Sequence, residues 1–363
     1  MKITDKEKYR YPKIRLGLCC SIMTLKFKKN VYSSRRLNLS TIKNKGLKWA
    51  ENVAKENLID LLKMAFWSKN HGIDVMRISS ELVPHGNNID IENHFGKKGK
   101  EYTSLNFLKP YLEMIGHVAK LEKIRLTFHP GQYVQVGSPD KKIFNASVRE
   151  LSMHSTFLDM MGMPKESVIV IHIGGVYGNK KESTKRFIER FNSMPEFIKN
   201  RIVLENDEKC YDVDDVLYIC KKVKRPLVFD YHHYVCHKKY HPEKNQVPLN
   251  QILPQILKTW GNIRPKFHLS EQMKDKPVGS HSFFVEEIPE VLLDIPYKYG
   301  VDIDIMIEAK GKEIAISKLY NKYPELKPLY VKDLPKRVDK KALKNLKIPE
   351  EIKDEIDCEC NLN

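Results

Sequence analysis

A short run of strand-forming residues that stops at a histidine or a carboxylate recurs along this chain, and that recurrence restricts the fold more than any other feature. Ile124-Arg125-Leu126-Thr127-Phe128-His129 is followed at once by the turn-forming pair Pro130-Gly131. Val168-Ile169-Val170-Ile171-His172, Ile202-Val203-Leu204-Glu205, Pro226-Leu227-Val228-Phe229-Asp230-Tyr231-His232-His233, Lys266-Phe267-His268 and Ile303-Asp304-Ile305-Met306-Ile307-Glu308 repeat the pattern. Runs at 14–20 and 74–80 complete the series. Helical spacing fills the gaps, as at Leu58, Leu61, Leu62, Ala65 and Phe66, ended by Gly72 at a C-cap position. The spacing predicts further helices over 104–121, 141–161, 182–191 and 212–222, with Lys97, Lys98 and Lys100 in a polar loop. Short apolar strands alternating with helices predict a parallel sheet covered on both faces. Eight such units predict a closed (β/α)₈ barrel. No glycine-rich dinucleotide or phosphate loop follows any strand, which removes the open-sheet alternative and a nucleotide cofactor with it.

In a parallel barrel the carboxyl ends of all strands open at one mouth. Those ends would deliver His129, His172, Glu205, Asp230 with His232 and His233, and His268; a loop adds His281 and the last strand Glu308. One histidine at a strand end is ordinary core. So many His, Asp and Glu side chains at one mouth would repel each other and lose hydration unless cations bind among them. Their number exceeds the needs of one ion, so two or three divalent ions are expected, with one carboxylate bridging. Imidazole and carboxylate ligands without thiolates suit Mn²⁺, Zn²⁺, Fe²⁺ or Co²⁺. The D-x-x-H spacing from Asp230 selects His233, leaving His232 a structural role.

The net charge of +17 favours a polyanionic partner, most simply nucleic acid; a generally lysine-rich composition is the competing explanation. A metal cluster beside a basic surface points to phosphodiester hydrolysis. Ser33-Ser34-Arg35-Arg36 offers hydroxyls and guanidiniums suited to phosphate contacts, or simply a solvated loop. Seven cysteines, an odd number without zinc-ribbon spacing, imply a reducing, intracellular compartment. No run of about 18 apolar residues is present to span a membrane, and residues 1–13 do not read as a secretory signal. The expected plan is a basic lead-in over 1–13, a barrel domain over 14–332 and a charged tail over 333–363, in a monomer.

Several blocks, taken together, resemble the UV damage endonuclease family. They are Arg15-Leu16-Gly17, Arg77-Ile78-Ser79-Ser80 with Pro84, His129-Pro130-Gly131-Gln132-Tyr133 and Gly137-Ser138-Pro139. His172-Ile173-Gly174-Gly175, Leu204-Glu205-Asn206-Asp207, Lys266-Phe267-His268 and Glu308-Ala309-Lys310-Gly311-Lys312-Glu313 continue the likeness, which spans about 14–316. It implies a TIM barrel that cuts duplex DNA immediately 5′ of ultraviolet photoproducts, leaving a 3′-hydroxyl and a 5′-phosphate, with up to three metals, typically Mn²⁺. It also implies His129, His172, Glu205, Asp230, His233, His268, His281 and Glu308 as ligands, with Glu205 bridging. Glu205 and Lys266 would be catalytic, the lysine open to carboxylation, while Gln132 and Tyr133 would wedge into the duplex where the lesion is flipped out. Arg35 and Arg36 remain candidate DNA contacts.

Two departures stand out. Asn88 occupies the place of a metal-binding histidine, and His85, three residues earlier, is the candidate substitute. Cys19-Cys20-Ser21 ends the first strand where some members carry Tyr and Asn that hold the lesion, so lesion preference is expected to shift. The competing functions are an abasic-site endonuclease of the same barrel type, a metal-dependent sugar isomerase, and a catalytically impaired damage-binding protein.

Overall fold

A computed structural model describes residues 12–245 and 247–328. The charged tail at 333–363 and all of the lead-in except Pro12 and Lys13 lie outside the described residues. The eight strands are β1 (Ile14–Cys19), β2 (Val75–Ile78), β3 (Arg125–Phe128), β4 (Ile169–His172), β5 (Ile202–Glu205), β6 (Leu227–Asp230), β7 (Lys266–Leu269) and β8 (Ile303–Ile307). They close in sequence order into a parallel barrel, with β8 paired back onto β1. No helix of the described residues is long and apolar enough to cross a membrane.

Alternation along each strand sends successive side chains to opposite faces. The outward set, including Leu16, Leu126, Ile171, Leu204, Phe229 and Ile305, joins the surrounding helices in one continuous core. The inward set is stacked in layers. Val170, Val203 and Val228 pack with Trp260, and Val75 with Met306 and Cys19. Gly17 faces this layer, where a Cβ would lie 3.0 Å from the Met306 Cε methyl. Strands expected to be apolar up to their last residue therefore differ by face: inward positions carry Arg15, Arg125, Lys266 and Asp304. These charges answer one another. Asp304 accepts from Arg15 Nε and Nη2 at 2.6 and 2.8 Å and from Arg125 Nη1 at 2.8 Å, and lies 2.9 Å from Arg264 Nε. Burial works to raise this carboxyl, but the three guanidiniums outweigh it and hold it well below the usual carboxylate range.

Three local expectations change. Residues 97, 98 and 100 belong to a helix, Lys97–Thr103, rather than a loop. Its Gly99 packs so tightly on the preceding helix that a Cβ would fall 2.4 Å from the Ile91 carbonyl, so the glycine serves close approach and not chain reversal. The helix expected from 104 begins at Lys109, after a 3₁₀ turn at Asn106–Leu108 entered through Leu105 in the left-handed region. Strand β6 stops at Asp230, and the two histidines beyond it open a helix, Tyr231–Tyr240. Asp230 caps that helix, accepting the His233 N–H at 2.8 Å.

Candidate metal centre at the barrel mouth

The uppermost inward positions of the strands, with the residues just beyond them, converge on Glu205. His129 Nε2 lies 2.9 Å and His172 Nε2 3.5 Å from Glu205 Oε2, and His268 Nδ1 lies 2.6 Å from Glu205 Oε1. His268 Nδ1 is also 3.1 Å from Glu308 Oε1, and His281 Nδ1 is 3.8 Å from Glu308 Oε2. Two sets of side chains bring one ligand atom each within 4.8 Å of the others: His129, Glu205, His268 and Glu308, and His172, Glu205 and His233. Glu205, fully buried, belongs to both.

The second set is held by Asn206. Its Nδ2 donates to the Asp230 carbonyl at 3.0 Å and its Oδ1 accepts the Asp230 N–H at 2.9 Å. His233 Nδ1 donates to the Asn206 carbonyl at 2.9 Å, which fixes the ring and its tautomer and frees Nε2. Protonation follows the same geometry. Burial opposes ionisation of Glu205, but His268, His172 and His129 hold its carboxyl below the usual value. Burial also keeps imidazoles neutral, taking His268 down to about 3 and lowering His172 and His281. His233 is the exception: burial is outweighed by Asp230, Glu205 and Glu208, and its value rises to about 9. Burial lifts Asp230 to about 7, against the pull of His233. Such side chains bind metals as carboxylates and neutral imidazoles, so a bound cation would replace the proton that the surrounding carboxylates favour on His233.

The buried Asp230 Oδ2, His129 Nδ1 and His172 Nδ1 have no hydrogen-bond partner among the described residues, and Glu205 Oε2 faces only the imidazoles of His129 and His172. Leaving such atoms unsatisfied costs about 1–3 kcal/mol each. Carboxylate oxygens set among imidazoles with unpartnered ring nitrogens, and without a thiolate in either set, fit divalent cations.

Asp230 and His281 stand beside the two sets without joining them. His85 is turned elsewhere: its Nε2 lies 3.0 Å from the Leu37 carbonyl and its Nδ1 3.0 Å from Asn88 Nδ2, while Asn88 Oδ1 caps the helix Ile89–Phe95. His232 is buried with its ring nitrogens 3.6 and 3.7 Å from Cys236 Sγ. Lys266 is fully buried, donates to Thr127 Oγ1 at 3.1 Å, and is lowered to about 7 by burial and by Arg77 and Arg125. Gln132 and Tyr133 project into solvent, the tyrosine 82% exposed. Arg35 is tied inward, 2.7 Å from Asp60 and donating to the Tyr32 carbonyl at 2.6 Å, whereas Arg36 is exposed and pairs with Glu81 at 3.0 Å.

Sequence reasoning gave no role to Arg77, whose buried guanidinium pairs with Glu308 and lies 3.3 Å from His268 Nε2. Its register opposite Cys19 and its parity with Val75 turn it inward, a signal legible only once the strands are paired. Asn206 was visible in a motif but not as a clamp. Beside the cluster a cleft of about 420 Å³ is lined by Arg77, Ser280, His281, Glu308, Lys310 and Lys312.

Fold and site define a (β/α)₈-barrel enzyme with a metal-capable mouth. The family described as UV-endonuclease UvdE matches residues 14–336. The UV DNA damage endonuclease of Clostridium perfringens is 32% identical over 350 residues, covering 92% of this chain and 76% of that protein. The UV-damage endonuclease of Schizosaccharomyces pombe is 33% identical over 321 residues, covering 85% of this chain and 50% of that longer protein. The crystal structure of SacUVDE matches with a TM-score of 0.71 at 30% identity, over 86% of this chain and all of the other. The chain belongs to the UV-endonuclease family and is a DNA endonuclease.

Proposed function

We propose that this protein incises duplex DNA immediately 5′ of pyrimidine dimers and 6-4 photoproducts, leaving a 3′-hydroxyl and a 5′-phosphate, with two or three divalent ions, Mn²⁺ foremost, at the barrel mouth. The supporting observation is that one buried carboxylate, Glu205, belongs to both converging sets. In this reading Glu205 would serve both sets, His129, His268 and Glu308 would complete one and His172 and His233 the other, with Asp230 and His281 alongside. When bound, the ions supply the Lewis acidity that phosphodiester hydrolysis requires.

The chain's own residues do the rest. Arg77 pins Glu308 and Asn206 orients His233, so ligand geometry is set before substrate arrives. Lys310 and Lys312 line the cleft beside the cluster and attract backbone phosphates. Tyr133, exposed beyond the ligand His129, fills the gap left by an extruded dinucleotide, with Gln132 beside it. A distorted lesion is already poorly stacked, so its extrusion costs less than that of an intact step.

Incision of three labelled duplexes tests the reading: intact, carrying one pyrimidine dimer, and carrying one abasic site, each with Mn²⁺ and with EDTA. Metal-dependent cutting just 5′ of the dimer is expected. Cutting confined to the abasic site would replace the reading with an abasic-site endonuclease. Salt-sensitive binding without cutting would replace it with a damage binder.

A further inference from the structure

We infer that Gln135 is the positioning residue that sets the Gln132–Tyr133 loop against the loop following His172, and through it the discrimination of damaged from intact DNA. The inference rests on the wedge role proposed for Tyr133. An aromatic that replaces stacked bases is useful only if it is held ready, since ordering a loose loop on binding consumes the contact energy gained. The tip is a tight turn closed by the Val134 N–H on the Gly131 carbonyl at 3.1 Å, and little packs against its outer side. A Cβ on Gly131 would meet nothing within 4 Å, and the Tyr133 side chain is almost fully in solvent.

Gln135 ties this turn to its surroundings with both ends of its carboxamide. Nε2 donates to the Gln132 carbonyl at 2.8 Å, directly beneath the tip. Oε1 accepts from Gly175 N at 3.3 Å and from the Tyr177 hydroxyl at 3.2 Å, both in the loop after β4. Its own backbone N–H is anchored on Ser147 Oγ at 2.8 Å. The opposite loop is shaped to receive it: Gly174 has φ +104°, and a Cβ there would fall 2.3 Å from Gln135 Oε1. Only glycine allows that approach. Tyr177 is itself braced, with Arg186 stacked over its ring at 5.5 Å and Ser183 Oγ donating to the neighbouring Val176 carbonyl at 2.6 Å. One side chain thus joins the loop carrying the wedge to the loop leaving the candidate ligand His172.

The substitution Gln135→Glu separates this role from simple packing. A carboxylate keeps the acceptor for Gly175 and Tyr177 but cannot donate to the Gln132 carbonyl. Gln135→Met removes all three side-chain bonds without adding charge. With the full-length protein and Mn²⁺, each is expected to lower the ratio of affinities for dimer-containing over intact duplex by about five- to tenfold, the scale of one lost hydrogen bond. KM should rise while kcat at saturating DNA stays within about twofold, because the metal-binding side chains are untouched. In a Tyr133→Ala background, Gln135→Glu should add nothing. Normal discrimination in both Gln135 variants, with Tyr133→Ala impaired, would overturn the positioning role and leave the wedge standing. Normal discrimination in Tyr133→Ala would overturn both, and a Gln135→Glu defect undiminished in that background would show that Gln135 acts by another route.

Discussion

The two ends of the barrel interior bury carboxylates in opposite ways. At the amino end of the strands, Asp304 is neutralised by Arg15, Arg125 and Arg264, cations supplied by the chain itself. At the carboxyl end, Glu205 and Asp230 are set among imidazoles with no guanidinium or ammonium paired to either, and Asp230 keeps an oxygen without a hydrogen-bond partner among the described residues. Strand β8 and the residue following it serve both ends from the same inward face, with Asp304 at the base and Glu308 at the mouth. The protein thus uses charge for folding at one end of the barrel and holds it for chemistry at the other. A buried ion cluster satisfied internally locks the closure of the barrel, whereas one left short of cations is a binding site.

Exchanging carboxylate for amide at each end tests this division. Glu205→Gln should cut incision on the order of 10³-fold or more, while thermal melting in EDTA stays equal to the wild type or rises, since a buried charge has been removed. A loss of folding in EDTA would show that Glu205 is structural after all. Asp304→Asn should do the reverse. It leaves Arg15 and the buried Arg125 without their paired carboxylate, and Arg264 with only Asp302 at 3.6 Å, and should cost about 3–5 kcal/mol of stability, with the kcat of the folded fraction little changed. A drop in kcat larger than the drop in folded population would break the separation.

Metal addition probes only the mouth. Mn²⁺ at about one hundred times its Kd should stabilise the protein by about 2.7 kcal/mol, seen as a melting shift reversed by EDTA and much reduced in Glu205→Gln. Acid probes the base. The Asp304 carboxyl is depressed in the folded state, so its stabilisation is complete above the ordinary carboxylate value near pH ~4 and is lost as pH falls below it. Asp304→Asn should therefore flatten the acid-unfolding profile in that range, and an unchanged profile would remove Asp304 as its source. The smallest effect lies outside both ends: Tyr133→Ala should reduce preference for dimer-containing over intact duplex by about tenfold, the scale of one base stack, with metal-dependent stabilisation unaltered.

The amino-acid sequence by itself determined the eight strand-helix units, the parallel closure they require, and the candidate ligands, because each signal is local. A strand must be apolar toward the helices that cover it, and its last residue must point into the mouth. His129, His172, Glu205, His268 and Glu308 were legible at or next to strand ends, and His233 by its spacing from Asp230. Tertiary structure alone decided the rest. Arg125, Lys266 and Asp304 look like interruptions of apolar strands until strand pairing places Arg15 and Arg125 against Asp304 and Thr127 beneath Lys266. His85 is the candidate substitute for the histidine that Asn88 replaces, yet both are engaged with Leu37, with each other and with a helix cap. Arg77 and Gln135 act on residues far away in the chain or in a neighbouring loop. Partners of that kind are fixed by register and loop packing, which depend on every strand at once and leave no mark in any short stretch of sequence.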